Sequence, residues 1–243
     1  MPKPHRIALL AYEGCQLLDV TGPAAVFGAA NEGRERPVYE VEIVSPDGGP
    51  VTSNCGVALM SSRMGKRYDT LLVAGGSRGL KAVMARDDVR RWLLGVAPQT
   101  RRFGSVCTGA FVLAAAGLLD GKRVATHWAS CQRLAERFPA LTVDADALYV
   151  VDGKVWTSAG VTTGIDMALA LVEADLGAAP ANLIARHFVL YARRPGYQSQ
   201  FSPLLQVQTE ADAPFARLIE WMQAHLDEPL DVPALAARAG LSE

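Results

Sequence analysis

A cysteine stands at residue 107, inside FGSVCTGAFVLAAAGLLDGKRVATHW (103–128), where an apolar β-prone run gives way to an Ala/Leu-rich helical run. A side chain at such a joint projects above the carboxyl edge of a sheet, as in a nucleophile elbow. It also sits at a helix N-terminus, where unpaired N–H groups and the helix dipole favour an anion. The Cys107 thiol is therefore expected to ionise below its ordinary value of about 8.5. The N–H of Thr108 would face the place where an oxyanion could form. Gly75 and Gly76 end the run TLLVAGG (70–76). Lacking a Cβ, they let backbone N–H groups approach the same spot. These residue types suit nucleophilic chemistry or a ligand contact, and the same local pattern also suits a small buried core residue.

The elements that must position this joint read as an alternation of short apolar strands and amphipathic helices. Strands are expected at 6–12, 38–45, 70–76, 102–107 and 122–128, the last ending at His127, with a hairpin over 147–160 turning at Asp152-Gly153. Helices are expected over 18–33, opening after TGP with Pro23 in the first turn, and over 87–97, 108–121, 129–138, 161–177 and 181–192. Thr162 or Thr163 would cap the helix at 161–177. Continuous apolar strands between helices imply an α/β fold, a mostly parallel sheet with helices on both faces. Arg101-Arg102 and Arg193-Arg194 read as solvated element ends.

The 243 residues are half hydrophobic with a net charge of −1, which excludes a whole-surface attraction to DNA or anionic membrane. Four cysteines without CxxC spacing read as thiols in a reducing cytoplasm. No signal peptide and no 18-residue apolar span is visible, so neither a membrane partner nor a membrane location is expected. No cofactor and no metal site are expected.

GSVCTGA, the preceding LLVAGG, and ATHW twenty residues past the cysteine resemble the ThiJ/PfpI superfamily of class I glutamine-amidotransferase-like proteins, over roughly residues 5–192. The resemblance implies a flavodoxin-like sheet with Cys107 at an exposed elbow. Many members carry Cys-His at the elbow. Here Cys107-Thr108 stands instead, so a triad using the adjacent His is not supported. The resemblance also places His127 near the cysteine, lining the pocket or acting as a base. Asp19, in LLDVTGP, resembles the acidic residue that members hold against the elbow cysteine. A carboxyl beside a thiolate tends to keep its proton, so Asp19 would donate a hydrogen bond to the sulfur; a helix N-cap accounts for Asp19 equally well. Asp19, Cys107 and Thr108 together resemble the isocyanide hydratases of the superfamily. In those the cysteine attacks the isocyanide carbon, the aspartate handles protons and the threonine assists, giving an N-substituted formamide. Ser158, Gly160 and Thr162 can approach the pocket floor, although helix-on-sheet packing explains the glycine as well.

ARHFVLYARRPGYQSQF (185–201) resembles the end of the sensor domain in AraC-family regulators that carry a ThiJ/PfpI domain, with Tyr197 where glycine is usual. Residues 193–213 read as a linker or ordered surface loop, and 214–243 as two helices, about 214–226 and 232–239. LDEPLDVPALAARAGLSE resembles the support helix and turn of the first AraC-type helix-turn-helix, with Asp231 as cap and Pro233 in the first turn. The recognition helix that would enter the major groove lies past Glu243. Residues 210–243 hold seven carboxylates against two arginines, and an acidic surface repels phosphate. Promoter DNA is thus an expected partner only through a complete C-terminal domain, with a shortened piece of a regulator as the expectation for this chain. The leading expectation is a small-molecule sensor domain binding an effector at Cys107, in a homodimer. The competing one is a hydratase-like enzyme with Cys107 as nucleophile.

Overall fold

The computed structural model describes residues 3–201, 213–225 and 230–240. Two compact units divide the chain, Met1–Gln200 and Phe201–Glu243.

The first unit is built on an eight-stranded sheet. Its strands are β1 (His5–Leu10), β2 (Tyr39–Ser45), β3 (Gly49–Thr52), β4 (Ala58–Arg63), β5 (Thr70–Val73), β6 (Arg102–Val106), β9 (Tyr149–Asp152) and β10 (Val155–Ser158). They run in the order β3-β4-β2-β1-β5-β6-β10-β9. Neighbours are parallel from β4 through to β10, and only the edge strands β3 and β9 are antiparallel. β5 and β6 are buried at every position, as a strand covered on both faces must be. One group of helices is α1 (Leu17–Ala29), α6 (Thr163–Leu176) and α7 (Ala178–His187); the other is α2 (Leu80–Met84), α3 (Asp87–Val96) and α4 (Gly109–Ala115). Each packs chiefly within itself, giving a layer on either face of the sheet. The strand order reverses between β1 and β5, and a crevice opens outside the carboxyl ends of strands at such a point.

Three local expectations need correction. The strand expected at 122–128 is only β7 (Arg123–Val124), paired with β8 (Thr142–Val143) in a separate ribbon. Past Val124 the chain bonds sideways instead. Ala125 N donates to Thr157 Oγ1 (2.8 Å) and Thr126 Oγ1 donates to the Cys107 carbonyl (2.9 Å). His127 therefore lies in a loop ahead of a tight turn (Trp128–Ser130) and α5 (Cys131–Arg137). Helix α1 begins six residues before Pro23 rather than just ahead of it. Its first turn already holds Asp19, whose N–H bonds the Gln16 carbonyl (3.1 Å). The paired arginines are not simply solvated. Arg102 is buried against Asp175, which also accepts from Tyr39 Oη (2.8 Å). Arg194 holds the buried Asp166 at 2.5 Å.

In the second unit, α8 (Ala213–Ala224) and α9 (Val232–Ala239) are described. Asp231 Oδ1 accepts from Ala234 N (2.9 Å), an N-cap, and Gly240 ends α9 in the left-handed region. The Arg238 guanidinium lies 3.5 Å from the Trp221 ring centroid, a cation–π contact between the two helices.

Candidate functional site

Four strand ends converge on Cys107. It follows β6 directly with φ +56°, and the chain turns there into α4. Val161, after β10, has φ +53°. Left-handed backbone at a non-glycine residue costs on the order of 1–3 kcal/mol, and for a β-branched valine the strain is real. Surrounding bonds hold both residues in place. Cys107 N donates to the Ser158 carbonyl (3.0 Å), and the Cys107 carbonyl accepts from Thr126 Oγ1. Val161 N donates to Asp19 Oδ1 (2.8 Å), and Gly75 N, after β5, donates to Asp19 Oδ2 (3.0 Å). Asp19 is thus a buried brace joining the ends of β5 and β10, rather than an N-cap of its own helix; Gln16 holds that position.

Two glycines let the floor close. A Cβ on Gly75 would lie 2.7 Å from Asp19 Oδ2, from Cys107 Cβ and from Thr108 N. One on Gly160, at φ +97°, would lie 2.1 Å from Cys107 Cβ. Gly76 N donates to Thr108 Oγ1 (2.9 Å), and that hydroxyl donates to the Gly76 carbonyl (2.9 Å). The Gly75 and Gly76 N–H groups, expected to face a ligand, are therefore engaged inside the protein.

The electrostatics reverse the expected state of the sulfur. Burial, and then the charge of Asp19, push the Cys107 thiol up to about 12, against the opposing pull of the Thr108 N–H and hydroxyl. Burial raises the Asp19 carboxyl to about 6, although bonds from Val161, Gly75 and Cys107 oppose the rise. Burial beside the Asp19 carboxyl therefore works against a thiolate at Cys107, the opposite of the direction expected from the helix N-terminus. A seven-residue helix offers too little to offset desolvation of a thiolate 8% exposed. The thiol with a lowered pKa is Cys55, exposed and bonded by Ser53 and the Val57 N–H. All four cysteines are free.

Above this floor opens a cleft of about 560 Å3. Cys107, Thr108, Gly76, His127 and Val161 line it, and Asp19 lies beneath. The expected site residues are therefore brought together. His127 Nδ1 accepts from Ala129 N (3.3 Å), and burial holds the ring below its ordinary pKa. With Nδ1 accepting, the neutral ring carries its proton on Nε2. Ser158 contributes its carbonyl, Gly160 its missing side chain, and Thr162 Oγ1 accepts from Arg194 (2.9 Å). Sequence reading missed Phe111, Lys81, Arg133 and Arg137, which also line the cleft. The two arginines four apart in CQRLAER were the available signal.

Among the described residues, no group of histidines, cysteines and carboxylates could hold a metal ion, and no helix is long and apolar enough to cross a membrane.

An elbow cysteine over a mostly parallel sheet, braced by a buried acid, defines a class to which comparison adds a family. Residues 5–174 match the DJ-1/PfpI family, and the chain belongs to it. It is 28% identical to the HTH-type transcriptional regulator GbdR of Pseudomonas aeruginosa over 242 residues, 98% of this chain and 65% of that protein's length. It is 35% identical to the isonitrile hydratase of Pseudomonas putida over 198 residues, 80% of this chain and 82% of the hydratase. A solved ThiJ/PfpI family protein from Pseudomonas syringae superposes with a TM-score of 0.72 at 25% identity, covering 98% of this chain and 92% of the other.

Proposed function

We propose that this chain is the small-molecule-sensing part of an AraC-like transcriptional regulator, holding an effector in the cleft over Cys107 without turning it over. The observation that carries this reading is the reach of the likeness to GbdR. It runs through 98% of the chain, past the residues matched by the DJ-1/PfpI family and across the helical second unit, whereas the likeness to the hydratase covers 80%. The raised Cys107 thiol supports it, because burial works against the thiolate that a nucleophile requires. Residues 5–192 would be the sensor, 193–213 a connection and 214–243 the start of the helix-turn-helix. Promoter DNA would be bound by a complete C-terminal domain, in a homodimer that spans two half-sites.

The convergence of Asp19, Cys107 and Thr108 keeps a second reading alive. A hydratase would add water to an isocyanide, with Cys107 attacking the terminal carbon. Incubation with an alkyl isocyanide separates the two. The sensor reading expects no formamide above the uncatalysed level; steady turnover abolished by Cys107→Ala would replace it with the enzyme.

A further inference from the structure

We infer that the effector is a small carboxylate with an apolar body, its anionic group taken by Arg133 and Arg137 at the mouth of the cleft. This rests on the sensing reading and names the ligand class of the same site. Among the described residues no carboxylate side chain lines the cleft, whereas Lys81, Arg133 and Arg137 all do. Among the described residues none of these three has an ion-pair partner. Arg86, Arg102, Arg193 and Arg194, elsewhere in the same unit, are each matched to a carboxylate. Arg63, Arg67, Arg78, Arg90 and Arg91 also have no ion-pair partner among the described residues, so what distinguishes these three cations is that they line one cleft.

Arg133 and Arg137 lie four apart on α5, so they share a face and repel each other until an anion arrives. Arg133 is already placed. Its Nη2 donates to Ser130 Oγ (3.2 Å), and its guanidinium carbon stands 4.9 Å from the Phe111 ring centroid. Held at one nitrogen and over one ring face, the fork keeps further N–H donors for a planar carboxylate. Lys81 extends from α2 into the same cleft. Phe111, Leu80 and Met84 supply apolar lining to the same cleft beside neutral polar groups such as Gln16, Asn54 and His127. A neutral isocyanide would leave all of these charges unmatched.

The test is calorimetric titration of this chain with a panel of short-chain and aryl-acetic carboxylates, each beside its primary amide. Binding should concentrate among the acids. It should weaken about tenfold or more in Arg133→Ala/Arg137→Ala, weaken with added salt, and stay unchanged in the control Arg91→Ala, a residue outside the cleft. Arg133→Lys should recover part of the loss. Unchanged melting of the double variant would show that the fold is intact; should it unfold, Arg133→Lys with the salt series decides the same question. Amides binding as well as acids, in a manner lost on Cys107→Ser, would overturn the carboxylate inference and leave the sensing reading standing. Binding of neither series would remove the sensing reading, and this inference with it.

Discussion

The floor and the mouth of the cleft are built on opposite principles. At the floor the backbone groups and the side chains of Asp19 and Thr108 are tied to partners within the protein, while the buried Tyr12 Oη and Ser158 Oγ have none among the described residues. Asp19 takes two N–H groups, Thr108 bridges Gly76, and the Cys107 backbone is tied to Ser158 and Thr126. At the mouth, Lys81 and Arg137 are exposed and unmatched by any carboxylate among the described residues. The contrast teaches that the residues most suggestive of catalysis are those most occupied by holding the backbone. Recognition falls to residues that look like ordinary surface. A strained elbow can persist as inherited architecture while the groups above it choose the ligand.

The comparison breaks most sharply at Gly160. Gly160→Ala should cost about 3 kcal/mol or more, because its methyl collides with Cys107 Cβ at 2.1 Å and the backbone is left-handed there. Denaturant unfolding measures it, and a near-neutral result would mean that the floor is loose.

Asp19 gives the next effect, of up to about 3 kcal/mol. Its carboxyl rises from 3.8 to about 6 on folding, so the folded state holds this proton more tightly. The contribution is fully present below about pH 4 and is lost as pH rises through about 6. Unfolding free energies of the wild type should therefore fall relative to Asp19→Asn between those limits. A difference that stays flat with pH would place Asp19 in a wetter site than the floor described.

At the mouth the expected effect on stability is small. Arg137→Ala should change it by less than about 0.5 kcal/mol, since the side chain is exposed and its i,i+4 neighbour is a like charge. A loss of several kcal/mol in thermal or denaturant unfolding would make Arg137 structural and remove the contrast.

The fold was legible where burial writes the sequence. β1, β5 and β6 are continuous apolar runs, and the strand–Cys–helix joint announced the elbow. β3 and β4 escaped because, at the edge of the sheet and next to it, their side chains are mostly exposed or half-buried, and VTSNCGVALMSSR shows no sustained apolar pattern. The strand expected at 122–128 failed for a tertiary reason. Ala125 and Thr126 bond to Thr157 and Cys107 across the structure, which no local pattern reveals. Cys107, Asp19, Gly75 and Thr108 could be named from the chain. Val161 could not, because its contribution to the site is a backbone N–H. The thiol's direction of shift was misread because a helix N-terminus is visible in sequence, whereas burial beside a carboxylate is not.

The pH dependence of alkylation at Cys107, measured in a Cys55→Ser variant by mass spectrometry, tests the central claim most directly. In the wild type Cys55 should label first, being exposed with a lowered pKa. In the variant Cys107 should remain almost unlabelled up to about pH 9, as a thiol raised by burial beside Asp19 requires. Rapid labelling of Cys107 at neutral pH, with a midpoint below about 8, would mean that the sulfur is a thiolate, and the floor would be a nucleophile's after all.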